Sequence, residues 1–152
     1  MKLFRLLAVL LISLLPVKQI FAQADADERL DKYRSQKVSF LTERMNLTPE
    51  EAQKFWPIYN EYSDKREQVN KEKVKLNRYI AQFSNTITDK EAAELVAKFI
   101  NLEKQEVQLR DEYNKRFLGI ISARKVMMLY QSETQFKAYL IKQLRANSQG
   151  GK

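Results

Sequence analysis

The sequence predicts an all-α fold, an elongated bundle of about four helices with a long central antiparallel hairpin. Glycine and proline occur only three times each in 152 residues, which leaves few turns and favours long helices. Apolar residues recur at alternating spacings of three and four, the pattern of helices that pack along a heptad seam. Two Thr-x-x-Glu sequences, beginning at Thr48 and Thr88, have the spacing of capping boxes and mark helix starts.

The first segment has the organisation of a cleaved secretory signal peptide, ending at residue 22 or 24. Met1–Arg5 is short and basic, and Leu6–Leu15 contains a single polar residue. Ala22-Gln23-Ala24 supplies a small-x-small cleavage pattern. A membrane-spanning helix needs about 20 apolar residues, which this run does not have. We therefore expect a soluble protein outside the cytoplasm, with a helical domain over residues 25–146.

The first two helices are predicted over residues 25–46 and from Pro49 to about Ser84. In the second, Thr48 can cap, Pro49 suits the first helical position, and Glu51 can complete the box. Pro57 lies inside this helix and is expected to kink it, because it cannot donate to the carbonyl of residue 53. Its seam is predicted to comprise Ala52, Phe55, Tyr59, Tyr62, Arg66, Val69, Lys73, Leu76, Ile80 and Phe83.

The third helix is predicted to begin after Thr88, with Glu91 completing the second box, and to end near Gly119. Ser122 is the expected cap of a fourth helix, and residues 147–152 are expected to be a disordered tail. The seam of the third helix is predicted to comprise Ala92, Leu95, Phe99, Leu102, Glu106, Leu109, Tyr113 and Phe117.

The two seams predict the register of the hairpin. Folding back at Asn85–Ile87 sets Ile80 level with Leu95, and equal rise along both helices keeps that register. Glu106 then lies between the levels of Arg66 and Lys73. An acidic group among apolar neighbours needs a partner, so we expect Glu106 to pair with Lys73 or Arg66 across the hairpin. The alternative is an outward pair with Arg110, its i+4 neighbour.

Composition argues against several function classes. Histidine and cysteine are absent, which removes the commonest acid–base and nucleophilic groups and the preferred transition-metal ligands. We therefore expect neither an enzyme nor a cofactor or metal protein. The net charge is +8, and loss of Lys2, Arg5 and Lys18 with the signal would lower it to +5, which weakens a nucleic-acid role.

A binding role fits best, because aromatic and basic residues share the long helices. Basic side chains could attract acidic segments of a flexible client, while aromatic rings hold apolar ones; the alternative for each ring is a simple core position. The candidate client-binding residues are Phe55, Trp56, Tyr59, Tyr62, Arg66, Lys73, Arg110 and Arg116.

The segment Leu47-Thr48-Pro49-Glu50-Glu51 resembles the Leu-Thr-x-x-Gln motif of the Spy/CpxP family of periplasmic proteins, with Glu in place of Gln. Ile87-Thr88-Asp89-Lys90-Glu91 resembles a degenerate second copy. The run from Phe55 to Tyr59 is similar to a Bacteroidetes branch often labelled sensors of extracytoplasmic-function sigma factors. The resemblance implies a periplasmic, often dimeric, four-helix cradle with ATP-independent chaperone activity or a role in the envelope stress response. Metal binding through His and Cys, known in some relatives, is not implied here because both are absent.

These observations predict an exported chaperone-like holder of unfolded or flexible clients. The alternative is a regulatory envelope-stress subunit that acts on a membrane kinase or an anti-sigma factor. A homodimer is expected, because a single small bundle cannot bury all the apolar surface of the second, third and fourth helices. The second and third helices carry long seams, and the fourth is rich in aromatic residues.

Overall fold

The computed structural model describes the backbone of residues 15–149 and the side chains of residues 28–146. The described backbone forms four helices and no strand, which confirms the all-α prediction. The first helix begins well before the predicted start at residue 25 and takes in the end of the predicted signal segment, whose first 14 residues lie outside the described range. The last helix extends over 147–149, where the sequence predicted a disordered tail. The helices are α1 (Leu15–Met45), α2 (Pro49–Phe83), α3 (Asp89–Leu118) and α4 (Ala123–Gln149).

The chain divides into two compact units. The hairpin unit, Arg44–Ser132, contains α2, α3 and the first residues of α4. Among the described residues, the terminal unit comprises 15–43 and 133–149. Within it, the Phe136 ring lies 5.6 Å from Tyr33 and 5.4 Å from Phe40 between centroids. These rings form a small aromatic cluster of the terminal unit.

Both predicted capping boxes are present. The Thr48 hydroxyl accepts the Glu51 amide at 3.2 Å, and the Glu51 carboxylate accepts the Thr48 amide at 2.9 Å. Thr88 and Glu91 repeat this exchange at 3.3 and 2.9 Å. Each box satisfies two amides that the first helical turn would otherwise leave without partners, so the starts of α2 and α3 are fixed by local chemistry.

The residues that flank the helices differ in backbone conformation and in how they cap. Ser122 caps α4, because its hydroxyl accepts the Lys125 amide at 3.3 Å. Gly119 caps α3 with φ −75°, so it does not use the left-handed conformation expected of a glycine after a helix. Among the described residues other than glycine, Asn46 alone has a positive φ, 49°, and it closes the link from α1 to α2. Asparagine tolerates this left-handed conformation better than most residues.

α2 and α3 pack together as an antiparallel hairpin over most of their length. Tyr62 meets Tyr113, with ring centroids 5.3 Å apart, and Phe55 meets Phe117 at 5.2 Å. These pairs lie at about the levels expected if Ile80 is opposite Leu95 near the turn and both helices rise equally. We call the end near these rings the proximal half and the end near residues 84–88 the distal half.

α2 continues unbroken through Pro57. The ring nitrogen of Pro57 has no hydrogen to donate to the carbonyl four residues earlier, and the turns on either side hold the helix together. The kink at this position stays a prediction.

Candidate interaction surface

The aromatic residues predicted to hold clients mostly form the proximal core. Phe55, Tyr59 and Tyr62 are buried, and each of them lies within ring contact of Phe117. Trp56 is half-buried and meets the Tyr59 ring edge-on at 5.4 Å. The client-contact role predicted for Phe55, Tyr59 and Tyr62 is therefore wrong for the folded chain, because the apolar seam that makes them visible in the sequence also buries them.

The predicted basic residues are already engaged by neighbouring groups. Arg116 pairs with Glu61 at 2.9 Å, and Arg110 pairs with Glu106 at 3.2 Å. Lys73 pairs with Glu103 at 2.7 Å and also with Glu106. The fourth member, Arg66, lies 5.5 Å above the Tyr62 ring. Carboxylates and a ring face offset part of this positive charge, and the client-binding role of these four residues stays a prediction.

Glu61 is the centre of a proximal charge network. It accepts bonds from Arg116 at 2.9 Å, from the Tyr113 hydroxyl at 2.6 Å and from Lys65 at 3.1 Å. These bonds, with Arg116 contributing most and Tyr113 next, lower the pKa of Glu61 to about 2. Arg116 and Lys65 also lie 4.6 and 5.2 Å from the centre of the Tyr113 ring. The network ties α2 to α3 just outside the aromatic core.

Glu106 makes the cross-hairpin pair that the sequence predicted, with Lys73 as its partner. Its other carboxylate oxygen accepts Arg110, so the outward pair forms as well. The hydrogen bond from Lys73 is the main reason that the pKa of Glu106 is lowered. The pKa of Lys73 is raised, first by Glu103 and then by Glu106. One lysine therefore lies between two carboxylates of α3, at the register that the two seams predicted.

Lys125 connects the start of α4 to the α1–α2 link and to the start of α2. Its ammonium donates to the Asn46 carbonyl at 2.7 Å and to Glu51 at 2.5 Å. Glu51 therefore serves both the capping box and an ion pair, and the bond from Lys125 is the largest cause of its lowered pKa. The sequence did not predict this contact, because the two residues are 74 positions apart.

The distal half exposes six large apolar side chains, which we call the distal surface: Val74, Tyr79, Phe83, Val96, Phe99 and Ile100. Phe83 and Phe99 belong to the predicted seams, yet Phe99 is 41% exposed. Val96 and Ile100, one turn apart on α3, are 59% and 48% exposed. The Tyr79 and Phe83 rings touch on α2, with centroids 4.9 Å apart. At about 100° per residue, Val74 lies about 180° around α2 from Phe83, so the six side chains are not one continuous patch. Their concentration at one end of the hairpin still indicates a region that can bind a partner.

Sequence reasoning missed most of these residues, although it had a signal. In Leu95-Val96 and Phe99-Ile100, each seam residue is followed by a second apolar residue. Such doublets widen the apolar stripe beyond what one partner helix can cover. Val74 and Tyr79 likewise lie off the seam of α2.

Comparison with known proteins finds no matching family model, no matching curated protein and no matching solved structure. Within residues 15–149, no helix is long and apolar enough to cross a membrane. The side chains described include no group of three or more acidic residues arranged to hold a metal ion.

Proposed function

We propose that this protein is an exported, non-enzymatic, chaperone-like protein that holds unfolded or flexible clients on the distal surface. The observation that carries the proposal is the exposure of six large apolar side chains on the distal half of the hairpin. An unfolded client exposes apolar side chains of its own, and covering both sets removes apolar area from water. Nothing in this process needs a catalytic group.

The surface suits varied clients better than one fixed ligand. Its residues project from two helices and are exposed to solvent, so a client segment can bind without matching a precise shape. Aromatic rings at Tyr79 and Phe83 give large contact area at low entropic cost. Each contact is individually weak, as holding and later release of a client require.

Suppression of aggregation tests the proposal. Purified protein is mixed at equal ratio with an unrelated enzyme that aggregates on warming, and light scattering is recorded. We expect suppression by the native protein and its loss in the double variant Val96→Lys/Ile100→Lys. Both substituted side chains are about half exposed, so the variant keeps its fold.

Val107→Lys is the matched control. Val107 lies on the same helix, outside the distal surface, and is 62% exposed. It should suppress aggregation as the native protein does. Equal activity in all three proteins would remove the distal surface from the proposal, and no suppression by the native protein would remove the holding function.

A dedicated regulatory role is the second candidate. The Thr48 and Thr88 helix starts, on which the resemblance to the Spy/CpxP family depends, support it as much as they support a chaperone. In that case one partner, a membrane kinase or an anti-sigma factor, would bind the distal surface. Such a protein fails the aggregation assay, yet Val96→Lys/Ile100→Lys still changes the stress response of the cell that produces it.

A homodimer remains part of the proposal, and a second copy is the competing occupant of the distal surface. Sedimentation at tens of micromolar, a range chosen for the test, measures the oligomeric state of the native protein and of Val96→Lys/Ile100→Lys. A native dimer that becomes monomeric in the double variant assigns the surface to self-association. Periplasmic location is proposed from the signal segment, and N-terminal sequencing should find Gln23 or Asp25 first.

A further inference from the structure

The last part of α4 differs from the rest of the chain in its charge. All 19 acidic residues of the sequence precede residue 134, whereas Lys137, Lys142, Arg145 and Lys152 follow it. The helices before it mix the two signs, and α1 from residue 25 to its end carries five acidic and five basic residues. α4 therefore ends in a basic segment that contains no acid of its own.

The charges around this segment do not neutralise it. Glu133, one turn before Lys137, is already engaged by Lys37 of α1 at 3.8 Å. Lys137 and Lys142 are exposed, and their ammonium groups make no hydrogen bond or ion pair with the described residues. Because α1 adds no net charge from residue 25 onward, the potential along the end of α4 stays positive.

Two aliphatic side chains project from the same segment. Ile141 is 50% exposed, and Leu144 is 69% exposed, the largest fraction for a large apolar side chain among the described residues. At about 100° per residue, both lie within about 40° of Lys137 around α4. Phe136, whose ring packs against α1, lies about 80° from Leu144 and about 140° from Ile141. α1 therefore leaves this side of α4 open.

Three basic and two aliphatic side chains thus share one side of α4. We call these five residues the basic face of α4: Lys137, Ile141, Lys142, Leu144 and Arg145. They lie within an arc of about 160° around the helix. An amphipathic helix of this composition binds at a membrane interface, where its aliphatic groups reach the acyl boundary and its long basic side chains reach the head groups.

A membrane fits this face better than a protein partner does. Ile141 and Leu144 project into solvent from one side of a single helix, so a rigid partner would need a hollow that matches them, whereas a fluid bilayer adapts to them. On the distal half, by contrast, acids accompany the bases, as in the pairs of Glu67 with Lys71 and of Glu72 with Lys75. Anionic lipids therefore favour the basic face of α4 over the distal surface.

We propose that the basic face of α4 binds the surface of a membrane that contains anionic phospholipids. Ile141 and Leu144 enter the boundary between head groups and acyl chains, and the three basic side chains bind lipid phosphates. Lipid binding then uses the terminal unit, and client holding uses the hairpin unit.

Cosedimentation with vesicles tests the proposal. Vesicles of phosphatidylglycerol and phosphatidylcholine in equal parts are compared with vesicles of phosphatidylcholine alone, at low salt, where surface charges are least screened. We expect the native protein to sediment with the anionic vesicles and to stay in solution with the neutral ones. Equal sedimentation with both kinds of vesicle, or with neither, would overturn the proposal.

Charge reversal on the basic face is the first variant. Lys137→Glu/Lys142→Glu should weaken binding to the anionic vesicles at least about tenfold, because each basic group near such a surface adds to the attraction. Lys54→Glu/Lys104→Glu is the matched control. It changes the net charge equally at two exposed lysines of the hairpin unit whose ammonium groups also lack partners among the described residues. Equal weakening in both variants would show that overall charge decides binding, and would overturn the proposal.

The aliphatic pair is the second variant. Ile141→Ser/Leu144→Ser should weaken binding about tenfold, since it removes the apolar area that enters the membrane. Val107→Ser/Met127→Ser, at two side chains of the hairpin unit that are each 62% exposed, should bind as the native protein does. Native binding by Ile141→Ser/Leu144→Ser would contradict the proposal. This variant should still suppress aggregation, which separates failure of the lipid site from failure of the proposed function.

Two further outcomes would assign the basic face to another occupant. A native dimer that Ile141→Ser/Leu144→Ser makes monomeric, with no sedimentation on vesicles, would assign it to a second copy of the chain. Soluble polyglutamate that binds the native protein and Ile141→Ser/Leu144→Ser equally, and as tightly as the anionic vesicles do, would assign it to acidic protein segments. Either result would overturn the proposal.

Discussion

The two halves of the hairpin have the same secondary structure and nearly opposite surfaces. In the proximal half, rings from α2 and α3 are buried around Phe117, and a charge network centred on Glu61 lies outside them. In the distal half, Phe99 belongs to a seam of the same kind and is 41% exposed. A heptad seam therefore predicts which residues face a neighbour, while burial also requires a third element that covers the flanks.

The start of α4 supplies that third element for the proximal half. Val126 and Leu129, in the part of α4 that belongs to the hairpin unit, are buried. Lys125 at the start of α4 binds Asn46 and Glu51, so the start of α4 is tied to the α1–α2 link and to the first turn of α2. The distal half has two helices and one tight turn, which cannot enclose apolar side chains on every side. Stability is thus concentrated in one half and binding surface in the other.

The largest expected difference between the halves comes from matched phenylalanine truncations. Phe117→Ala removes a fully buried ring that contacts four others, and should lower the free energy of unfolding by ~3–5 kcal/mol. Phe99→Ala removes a ring that is 41% exposed and should cost less than half as much. Urea denaturation followed by circular dichroism measures both. Equal costs would show that the distal half is as well packed as the proximal half.

The two capping boxes allow a smaller comparison of the same kind. Thr48→Ala and Thr88→Ala should each cost ~0.5–2 kcal/mol, since each removes the hydroxyl that accepts the cap bond. We expect the larger cost at Thr88, because its hydroxyl also donates to the Glu91 carboxylate at 2.8 Å. The urea midpoints of the two variants measure which substitution costs more stability. Unchanged midpoints in both variants would contradict the helix starts described for α2 and α3.

Acid should weaken the proximal half through Glu61. Its pKa is lowered to about 2 in the folded state by Arg116, Tyr113 and Lys65, so folding favours the ionised form. This contribution is fully present above the ordinary carboxyl pKa and is lost as pH falls from about 4.5 towards about 2. Glu61→Gln should flatten the dependence of the urea midpoint on pH in that window.

Glu112→Gln provides the comparison for the acid prediction. Its carboxylate makes no ion pair with the described residues, so the substitution removes no favourable contact within the fold. The slope of the midpoint with pH should match that of the native protein. A slope that stays steep in Glu61→Gln would assign the acid sensitivity to other carboxylates.

The smallest expected effect concerns the charge cluster between the two halves. Lys73→Met removes the cross-hairpin pairs with Glu103 and Glu106 and should cost less than ~1 kcal/mol, because partly exposed pairs contribute little. The ring contacts of the proximal core should hold the register without it. A cost near that of Phe117→Ala would mean that this cluster, and not the aromatic core, holds the hairpin together.

The sequence by itself determined the helical class, the starts of α2 and α3 and the register of the hairpin. These features depend on contacts within one turn, such as Thr48 with Glu51, or on the 3-4 spacing of apolar residues. Even the pairing of Glu106 with Lys73 followed from spacing, since equal rise along two helices fixes which levels meet.

Only the tertiary structure decided which apolar residues stay accessible and which charges find partners. Phe55 and Phe99 occupy equivalent seam positions, and their different burial depends on whether another part of the chain covers them. Arg116 could have paired with Glu112 within its own helix and pairs with Glu61 of α2 instead. Such choices involve residues far apart in the sequence, and the packing of whole helices, which no local pattern specifies, brings them within reach of each other.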